Sequence, residues 1–220
     1  GNVLDDCDVC GGDGTSCLAS LSLGSFDSSG SLEILYDFGS DVAGFQFDVS
    51  GLALAGGSGG AAGDAGFDVQ TGGGTVLGFS FAGSTISAGS GVLTVLSFTD
   101  VTAGTTELSL GNFGAITSSD GSEFDATASG SIDHGDTDCA GDYYGDAALD
   151  DCDVCNGGNA DDLGCGCFES GPSGCDDTCG STLEFDECGE CGGDGIDEGA
   201  CDCFGSLYIN CDCGEVMWYD

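Results

Sequence analysis

The sequence contains no lysine and no arginine, against 40 aspartate and glutamate residues, and its formal net charge is −40 over 220 residues. No carboxylate can therefore pair with a lysine or arginine side chain, and the anions repel one another and oppose compaction. The same charge argues against nucleic acid and against membrane surfaces as partners. Another cation must neutralise the carboxylates, and their hard oxygens suit Ca²⁺ best. We therefore predict Ca²⁺ as the cofactor.

The chain also has one histidine and one tryptophan. His134 lies beside acidic residues without a partner serine or cysteine motif, and we expect it to be exposed rather than catalytic. Paired carboxylates can serve a glycosidase. With no lysine or arginine, however, charge stabilisation is limited to backbone amides. The composition thus predicts a protein that is not an enzyme.

Sixteen cysteines are unevenly distributed: three in residues 1–17, none in 18–138 and thirteen in 139–220. Such usage in an acidic chain indicates an oxidising compartment, and therefore secretion or the cell surface. Disulfides would supply the stability that short repeats cannot gain from a core. The predicted disulfide cysteines are Cys7, Cys10, Cys17, Cys139, Cys152, Cys155, Cys165, Cys167, Cys175, Cys179, Cys188, Cys191, Cys201, Cys203, Cys211 and Cys213.

Zinc and free thiols are the alternatives to disulfides. The spacing allows two four-thiolate zinc sites. They would consist of Cys152, Cys155, Cys165 and Cys167, and of Cys188, Cys191, Cys201 and Cys203.

Both cysteine-rich segments hold an odd number of cysteines. If every thiol is paired, at least one disulfide joins residues 1–17 to residues 139–220, within one chain or between chains. The repeat pattern favours head-to-tail assembly between chains, in which the C-terminal repeat of one subunit docks on the N-terminal repeat of the next. Such a contact makes a filament when it does not close. A monomer with an internal bridge, or a piece of a longer chain, is the alternative. The apolar tail at 216–219 would either pack on its own subunit or add to a neighbour.

The cysteine-free middle shows apolar residues at period two, separated by glycine-rich turns. The alternating positions are Leu21, Leu23, Leu32, Ile34, Tyr36, Phe45, Phe47, Val49, Phe79, Phe81, Leu108 and Leu110, and a nearly continuous apolar run spans 92–98. The expected turns lie at 27–30, 56–60, 71–74 and 87–91. No window has a sustained helical stripe. The pattern predicts an all-β fold, a sandwich with irregular disulfide-rich arms.

Two segments of this middle region, 41–49 and 86–98, resemble strand motifs of cohesin-like domains. The resemblance implies a jelly-roll-like β-sandwich of secreted bacterial proteins. Cohesins of cellulosomes bind dockerin modules, but a fold alone does not carry that activity over.

The flanking segments are repeats. The pattern Asp-Asp-Cys-Asp-Val-Cys at residue 5 recurs at 150, and a variant of it recurs at 186. These repeats resemble Asp/Cys/Gly-rich repeats of secreted proteins of aquatic bacteria and, more distantly, thrombospondin type 3 repeats. The resemblance implies a calcium-loaded extracellular rod or stalk, although a regular Asp-x-Asp-x-Asp-Gly run is missing.

Clustered acids around glycine suit loops that wrap a cation. The predicted ligands are Asp133, Asp136, Asp138, Asp5, Asp6, Asp8, Asp13, Asp151, Asp153, Asp186, Asp194 and Asp197. The alternative is that these are solvated surface acids.

Together these features predict a cysteine-rich repeat over 1–17, a cohesin-like sandwich over 18–130 and calcium-binding repeats over 131–220. The predicted function is a secreted structural subunit of a filament, stalk or surface layer. It would form a homo-polymer by head-to-tail contacts, stabilised by disulfides and calcium. The alternative is a monomeric cell-surface adhesion module that binds an extracellular glycan or a protein.

Overall fold

A computed structural model describes residues 3, 4, 7, 10–200 and 202–205 of the chain. The chain forms two compact units, Gly1–Asp146 and Ala147–Asp220. Within the described residues, no helix is both long enough and apolar enough to cross a lipid bilayer.

The described residues of the first unit form ten strands and one short helix. Its elements in chain order are β1 (Leu18–Asp27), β2 (Ser31–Phe38), β3 (Val42–Ser50), β4 (Leu52–Ser58), α1 (Gly60–Asp64), β5 (Asp68–Gly72), β6 (Thr75–Phe79), β7 (Gly89–Val101), β8 (Thr105–Ser109), β9 (Ala115–Ser118) and β10 (Asp125–Asp133). β1 begins at the predicted start of the sandwich, and β10 ends three residues beyond its predicted limit at residue 130.

Strand β10 connects the two layers of the unit. One layer has the order β4-β7-β2-β1, the other has the order β8-β3-β6-β5, and β9 pairs with β3. The first half of β10 is parallel to β1, and its last four residues are antiparallel to β8. Gly130 lies where the partner changes, at φ 153°, and a Cβ there would lie 2.8 Å from the Leu23 side chain. Glycine therefore permits the strand to cross between the layers.

Side chains from both layers form one apolar core. Leu32 and Ile34 of β2 are fully buried, as are Phe47 and Val49 of β3. Alternate residues of a strand point to opposite faces, so these period-two positions all reach the interior. The unit is a β-sandwich, and the predicted all-β fold class is confirmed.

Most predicted strand positions lie within observed strands, and the turn at 27–30 connects β1 to β2 as expected. Two positions were wrong: Phe81 and Leu110 lie beyond the ends of β6 and β8. The hydroxyl of Ser80 accepts the N–H groups of Ala82 and Ser84. A side chain that bonds to nearby backbone in this way favours a turn over a continued strand.

The predicted turn at 56–60 was also partly wrong, because β4 continues to Ser58. Gly57 pairs with Leu96 of β7, and a Cβ at Gly57 would lie 2.5 Å from the Val69 side chain. Glycine at this position serves close packing rather than chain reversal.

The described part of the second unit, residues 147–200 and 202–205, has little regular structure. Its strands β11 (Pro172–Ser173) and β12 (Thr178–Cys179) form one two-residue pair. Of its described residues, Cys152 alone is buried. Its stability therefore has to come from contacts other than a hydrophobic core.

Candidate functional site

The repeats are organised around an aspartate that bonds to the backbone following it. Asp150 Oδ1 accepts the N–H groups of Cys152 and Val154, both at 2.9 Å. Its Oδ2 accepts the N–H of Asn159, also at 2.9 Å. These backbone hydrogen bonds, with that from Val154 first, lower the pKa of Asp150. Backbone donors thus stabilise an anion that has no basic side chain to pair with.

The same arrangement recurs 36 residues later. Asp186 Oδ1 accepts the N–H groups of Cys188 at 2.9 Å and Glu190 at 2.8 Å, and its Oδ2 accepts that of Gly195 at 3.0 Å. The hydrogen bond from Glu190 is the main cause of the lowered pKa of Asp186. We call residues 150–155 and 186–191 the aspartate loops.

A shared pair of backbone contacts surrounds each aspartate loop. The loops are bracketed by the β-bridges Leu149↔Cys155 and Phe185↔Cys191. A hydrogen bond then joins the residue after the second cysteine to the residue before the bridge, at 2.9 Å in both copies.

The N-terminal repeat has these same two contacts. Leu4 bridges to Cys10, and the N–H of Gly11 donates to the carbonyl of Val3 at 2.9 Å. The backbone around Cys10 therefore matches the backbone around the second cysteine of the later copies.

One disulfide staples each copy in the same way. It joins the first cysteine of the motif to a cysteine 10 to 15 residues later, with Cα–Cα distances of 5.2 Å. The three staples are Cys7–Cys17, Cys152–Cys167 and Cys188–Cys203.

Two further disulfides interlock consecutive copies. Cys165 bonds to Cys179, and Cys175 bonds to Cys191. Cys175 lies between Cys165 and Cys179 in the sequence, and Cys179 lies between Cys175 and Cys191. The two disulfide-closed loops therefore overlap, and they hold the consecutive copies together while both bonds are intact. We call the staples and the interlocking bonds together the disulfide ladder.

The remaining cysteines differ in state. Cys139 and Cys155 are disulfide-bonded as well. Cys10 is a free thiol exposed to solvent, and it is the free cysteine within the described residues. Cys201, Cys211 and Cys213 lie outside those residues. Every cysteine of the first four-thiolate zinc alternative is thus in a disulfide, as are the described members of the second.

Several predicted calcium ligands accept hydrogen bonds from nearby backbone N–H groups. Asp133 accepts the N–H of Gly135 at 2.9 Å, and Asp138 accepts those of Ala140 and Asp142.

The other predicted ligands are dispersed. Asp13 accepts both the N–H and the hydroxyl of Thr15, and Asp151 accepts the Asn159 amide at 2.9 Å. Exposed positions are occupied by Asp136, Asp153, Asp194 and Asp197, while Asp5, Asp6 and Asp8 lie outside the described residues. In the part of the chain that the structure describes, no three acidic, histidine or cysteine side chains are grouped to hold a metal. The calcium site stays a prediction.

The expectation for His134 was wrong, because its side chain is buried. Its two ring nitrogens lie 2.7 Å from the hydroxyls of Thr106 and Tyr144, and its ring packs 5.0 Å from that of Phe26. Burial lowers the pKa of His134, although the charge of Asp133 opposes this. The sequence showed the acidic neighbours but not the hydroxyls, which come from positions 10 and 28 residues away.

Large apolar side chains are exposed on the sandwich as well. Phe81 is 87% exposed and Phe113 is 85% exposed, and the Phe81 ring meets Phe79 edge-on at 4.8 Å. Leu77 of β6 is also exposed, beside its register partner Gln46, whose amide donates to the carbonyl of Phe113.

Solved cohesin domains are similar to this chain in structure. One is a non-cellulosomal cohesin from the archaeon Archaeoglobus fulgidus, 17% identical with a TM-score of 0.39, covering 52% of this chain and 89% of that one. Another is the sixth cohesin of scaffoldin B from Acetivibrio cellulolyticus, solved with a Cel5 dockerin mutant. It is 18% identical with a TM-score of 0.39, over 52% of this chain and 97% of that one.

A third is the cohesin of the Coh-OlpA-Doc918 complex from Clostridium thermocellum. It is 14% identical with a TM-score of 0.40, over 53% of this chain and 98% of that one. No protein-family model matches the sequence, and no curated protein matches it.

Proposed function

We propose that the protein is a secreted, non-enzymatic structural subunit of an extracellular filament, stalk or surface layer, assembled head to tail. The observation that carries the proposal is the disulfide ladder, which interlocks two consecutive repeats. Disulfides persist in oxidising compartments, where extracellular proteins fold and remain. A covalent ladder along repeated units is suited to bearing load rather than to recognising a small ligand.

The exposed apolar side chains of the repeats support assembly. Leu149 and Phe185 occupy equivalent positions in the two copies, and they are 56% and 65% exposed. Phe168 and Phe204 form a second equivalent pair, at 69% and 94% exposed. Apolar surface that recurs at a fixed period offers neighbouring subunits a repeated contact. The apolar tail at 216–219, which lies outside the described residues, would add to it.

The net negative charge of the subunits is the reason why the proposal includes calcium. Subunits that each carry −40 repel one another, so assembly needs a counterion between them. Divalent calcium binds carboxylate oxygens and bridges between them. Ligands from two subunits would be brought together only on assembly.

Negative-stain electron microscopy tests the proposal in four samples that combine calcium or EDTA with or without reductant. We expect filaments in calcium without reductant, and shorter or fewer filaments when either condition is removed. Magnesium at equal ionic strength separates specific calcium binding from screening. Isolated monomers in all four samples would contradict the proposal.

A monomeric adhesion module is the second candidate function, and the exposed Phe81 and Phe113 favour it. An aromatic side chain presents a flat apolar face to a sugar ring or a protein surface. Replacing both residues with serine should abolish binding to glycans or proteins while leaving assembly intact. Loss of filaments without loss of ligand binding in this variant would count against the adhesion module.

A further inference from the structure

A loop with the hydrogen bonds of the aspartate loops follows strand β10, inside the first unit. Asp138 Oδ1 accepts the N–H groups of Ala140 at 2.9 Å and Asp142 at 3.0 Å, two and four residues ahead. The N–H of Gly141 donates to the carbonyl of Asp138, and the N–H of Asp138 donates to the carbonyl of Asp142, both at 3.0 Å. One aspartate thus organises the backbone that follows it.

The same four bonds, at the same intervals, form the aspartate loops at 150–155 and 186–191. In all three loops the third and the sixth residue after the aspartate have positive φ. The seventh is glycine in each, and a Cβ there would collide with the Oδ2 of the aspartate. Residues 138–145 therefore fold as a further copy of the repeat, and we call them the tyrosine loop.

The tyrosine loop lacks the Cys-x-x-Cys pair of the later copies. Cys152 and Cys155 follow Asp150 by two and five residues, and the equivalent residues of the tyrosine loop are Ala140 and Tyr143. The Tyr143 side chain is partly buried and packs against the core of the sandwich. Aromatic packing thus occupies a place that a disulfide holds in the later copies.

Tyr144 has a backbone conformation that bulky side chains rarely adopt. Its φ is 59°, and the other two loops have Asn156 and Gly192 here, both of which tolerate positive φ. The hydroxyl of Tyr144 lies 2.7 Å from His134 Nδ1, and its ring lies 5.9 Å from that of Phe26. A strained residue persists where its surroundings hold it in place. Contacts with the sandwich therefore offset the cost of tyrosine at this position.

We propose that the tyrosine loop is an anchor that fastens the chain to the sandwich and stays folded when the disulfides are reduced. Its tyrosines are held by aromatic packing and a hydrogen bond, which reductant does not affect. The later copies have disulfide staples instead. Reduction should therefore loosen the chain after residue 146 but leave β10 paired. The anchor does not depend on head-to-tail assembly.

Cys139 is the one cysteine of the tyrosine loop, and it is disulfide-bonded. The aspartate loops have Asp151 and Glu187 at this position, so a cysteine here is not needed for the hydrogen bonds around the aspartate. The anchor should therefore survive when the bond of Cys139 is opened with the others.

Hydrogen exchange of the full-length protein, measured by mass spectrometry with and without reductant, tests the anchor. Peptides from the tyrosine loop should keep their protection after complete reduction, whereas peptides from the aspartate loops should lose theirs. Equal loss of protection in the tyrosine loop and in the aspartate loops would overturn the proposal.

Two variants test the contacts that hold the anchor. Tyr144→Phe keeps the ring but removes the hydroxyl beside His134, and it should speed exchange of the tyrosine loop in reductant about tenfold. Tyr143→Ala removes the packing against the sandwich and should act in the same direction. Amides of β3 and β7 should stay protected in both, because neither change touches those strands' hydrogen bonds. Unchanged exchange of the tyrosine loop in both variants would contradict the anchor.

Tyr36→Phe is the matched control, because it removes a hydroxyl from a tyrosine of strand β2 in the same unit. It should leave exchange of the tyrosine loop as in the unchanged protein. An equal rise in Tyr36→Phe and Tyr144→Phe would assign the effect to general destabilisation of the sandwich and would overturn the role of Tyr144.

Discussion

The two units of this chain stay folded against the repulsion between their carboxylates by different means. The sandwich buries large side chains such as Phe47 and Leu93 completely, as a neutral domain would. The repeat unit leaves Phe168 and Phe185 exposed and is held by disulfides and aspartate loops. Where enough apolar residues alternate, burial offsets the repulsion. Where they do not, covalent bonds restrict the unfolded chain instead.

The difference also explains how acids are tolerated without bases. On the sandwich, carboxylates lie on the surface or cap turns, as Asp27 does for the N–H of Ser29. In the repeats, Asp150 and Asp186 each gather three backbone donors. The backbone thus supplies the positive end of the interaction that lysine and arginine supply in other proteins.

Reduction of the disulfides should produce the largest difference in stability between the two units. Disulfides in the repeats close loops of 14 to 16 residues, and each such bond contributes about 3 kcal/mol. We expect reductant to remove hydrogen-exchange protection from the aspartate loops, while amides of β3 and β7 stay protected. Measurement by mass spectrometry at neutral pH checks this. Repeats that kept their protection after complete reduction would show that disulfides do not hold them.

Truncation of a phenylalanine should have the opposite effect: it should destabilise the sandwich much more than the repeats. Phe47→Ala removes a fully buried ring, and such a change costs about 3–5 kcal/mol. Phe185→Ala is the matched control in the repeats, because its ring is 65% exposed and its loss should change stability by less than about 0.5 kcal/mol. Urea titration of the oxidised protein gives both values. Similar losses for the two variants would contradict a core confined to the sandwich.

A smaller effect is expected for Asp186→Asn. The asparagine oxygen still accepts the N–H groups of Cys188 and Glu190, but its amide nitrogen would face the N–H of Gly195. The melting temperature of the repeats should fall. Asp197→Asn, an exposed site with the same charge change, should not lower it.

The lowered pKa of Asp186 gives this prediction a pH signature. Its stabilising contribution is present above the unfolded pKa of about 3.9 and is lost as pH falls through the lower folded value. The difference in melting temperature between wild type and Asp186→Asn should therefore shrink on acidification. A difference that is constant down to pH 2 would contradict the role of the carboxylate.

The sandwich was predictable because alternation is a local signal. Leu32, Ile34, Phe45 and Phe47 are spaced by two and are all buried, so the sequence places them correctly. The chain reversals were harder to predict from the sequence. Glycine marks a turn at Gly73, where φ is 60° and the surroundings are open, but a tightly packed strand at Gly57, where Val69 lies close.

The repeats were predictable as a class but not in detail. Spacing indicated disulfides, yet pairing such as Cys175–Cys191 depends on distances that sequence does not encode. The acidic residues of the repeats predict calcium ligands, but the sequence did not show that Asp186 also accepts the N–H groups two, four and nine residues ahead. The recurrence of Asp two residues before a Cys-x-x-Cys pair was the available signal for that role.

The smallest expected effect concerns His134, the one basic side chain of the sandwich. Its pKa is lowered in the folded state, so folding favours the neutral ring. Stability should therefore be constant above the unfolded pKa of about 6.5 and should decrease as pH falls below it, until the folded value is passed. A neutral ring accepts from one of the Thr106 and Tyr144 hydroxyls and donates to the other, whereas the protonated ring can only donate. His134→Asn keeps a donor and an acceptor but does not titrate, so it should remove the decrease between pH 7 and pH 5 from the melting curve of the sandwich. An equal decrease in both proteins would assign it to other groups.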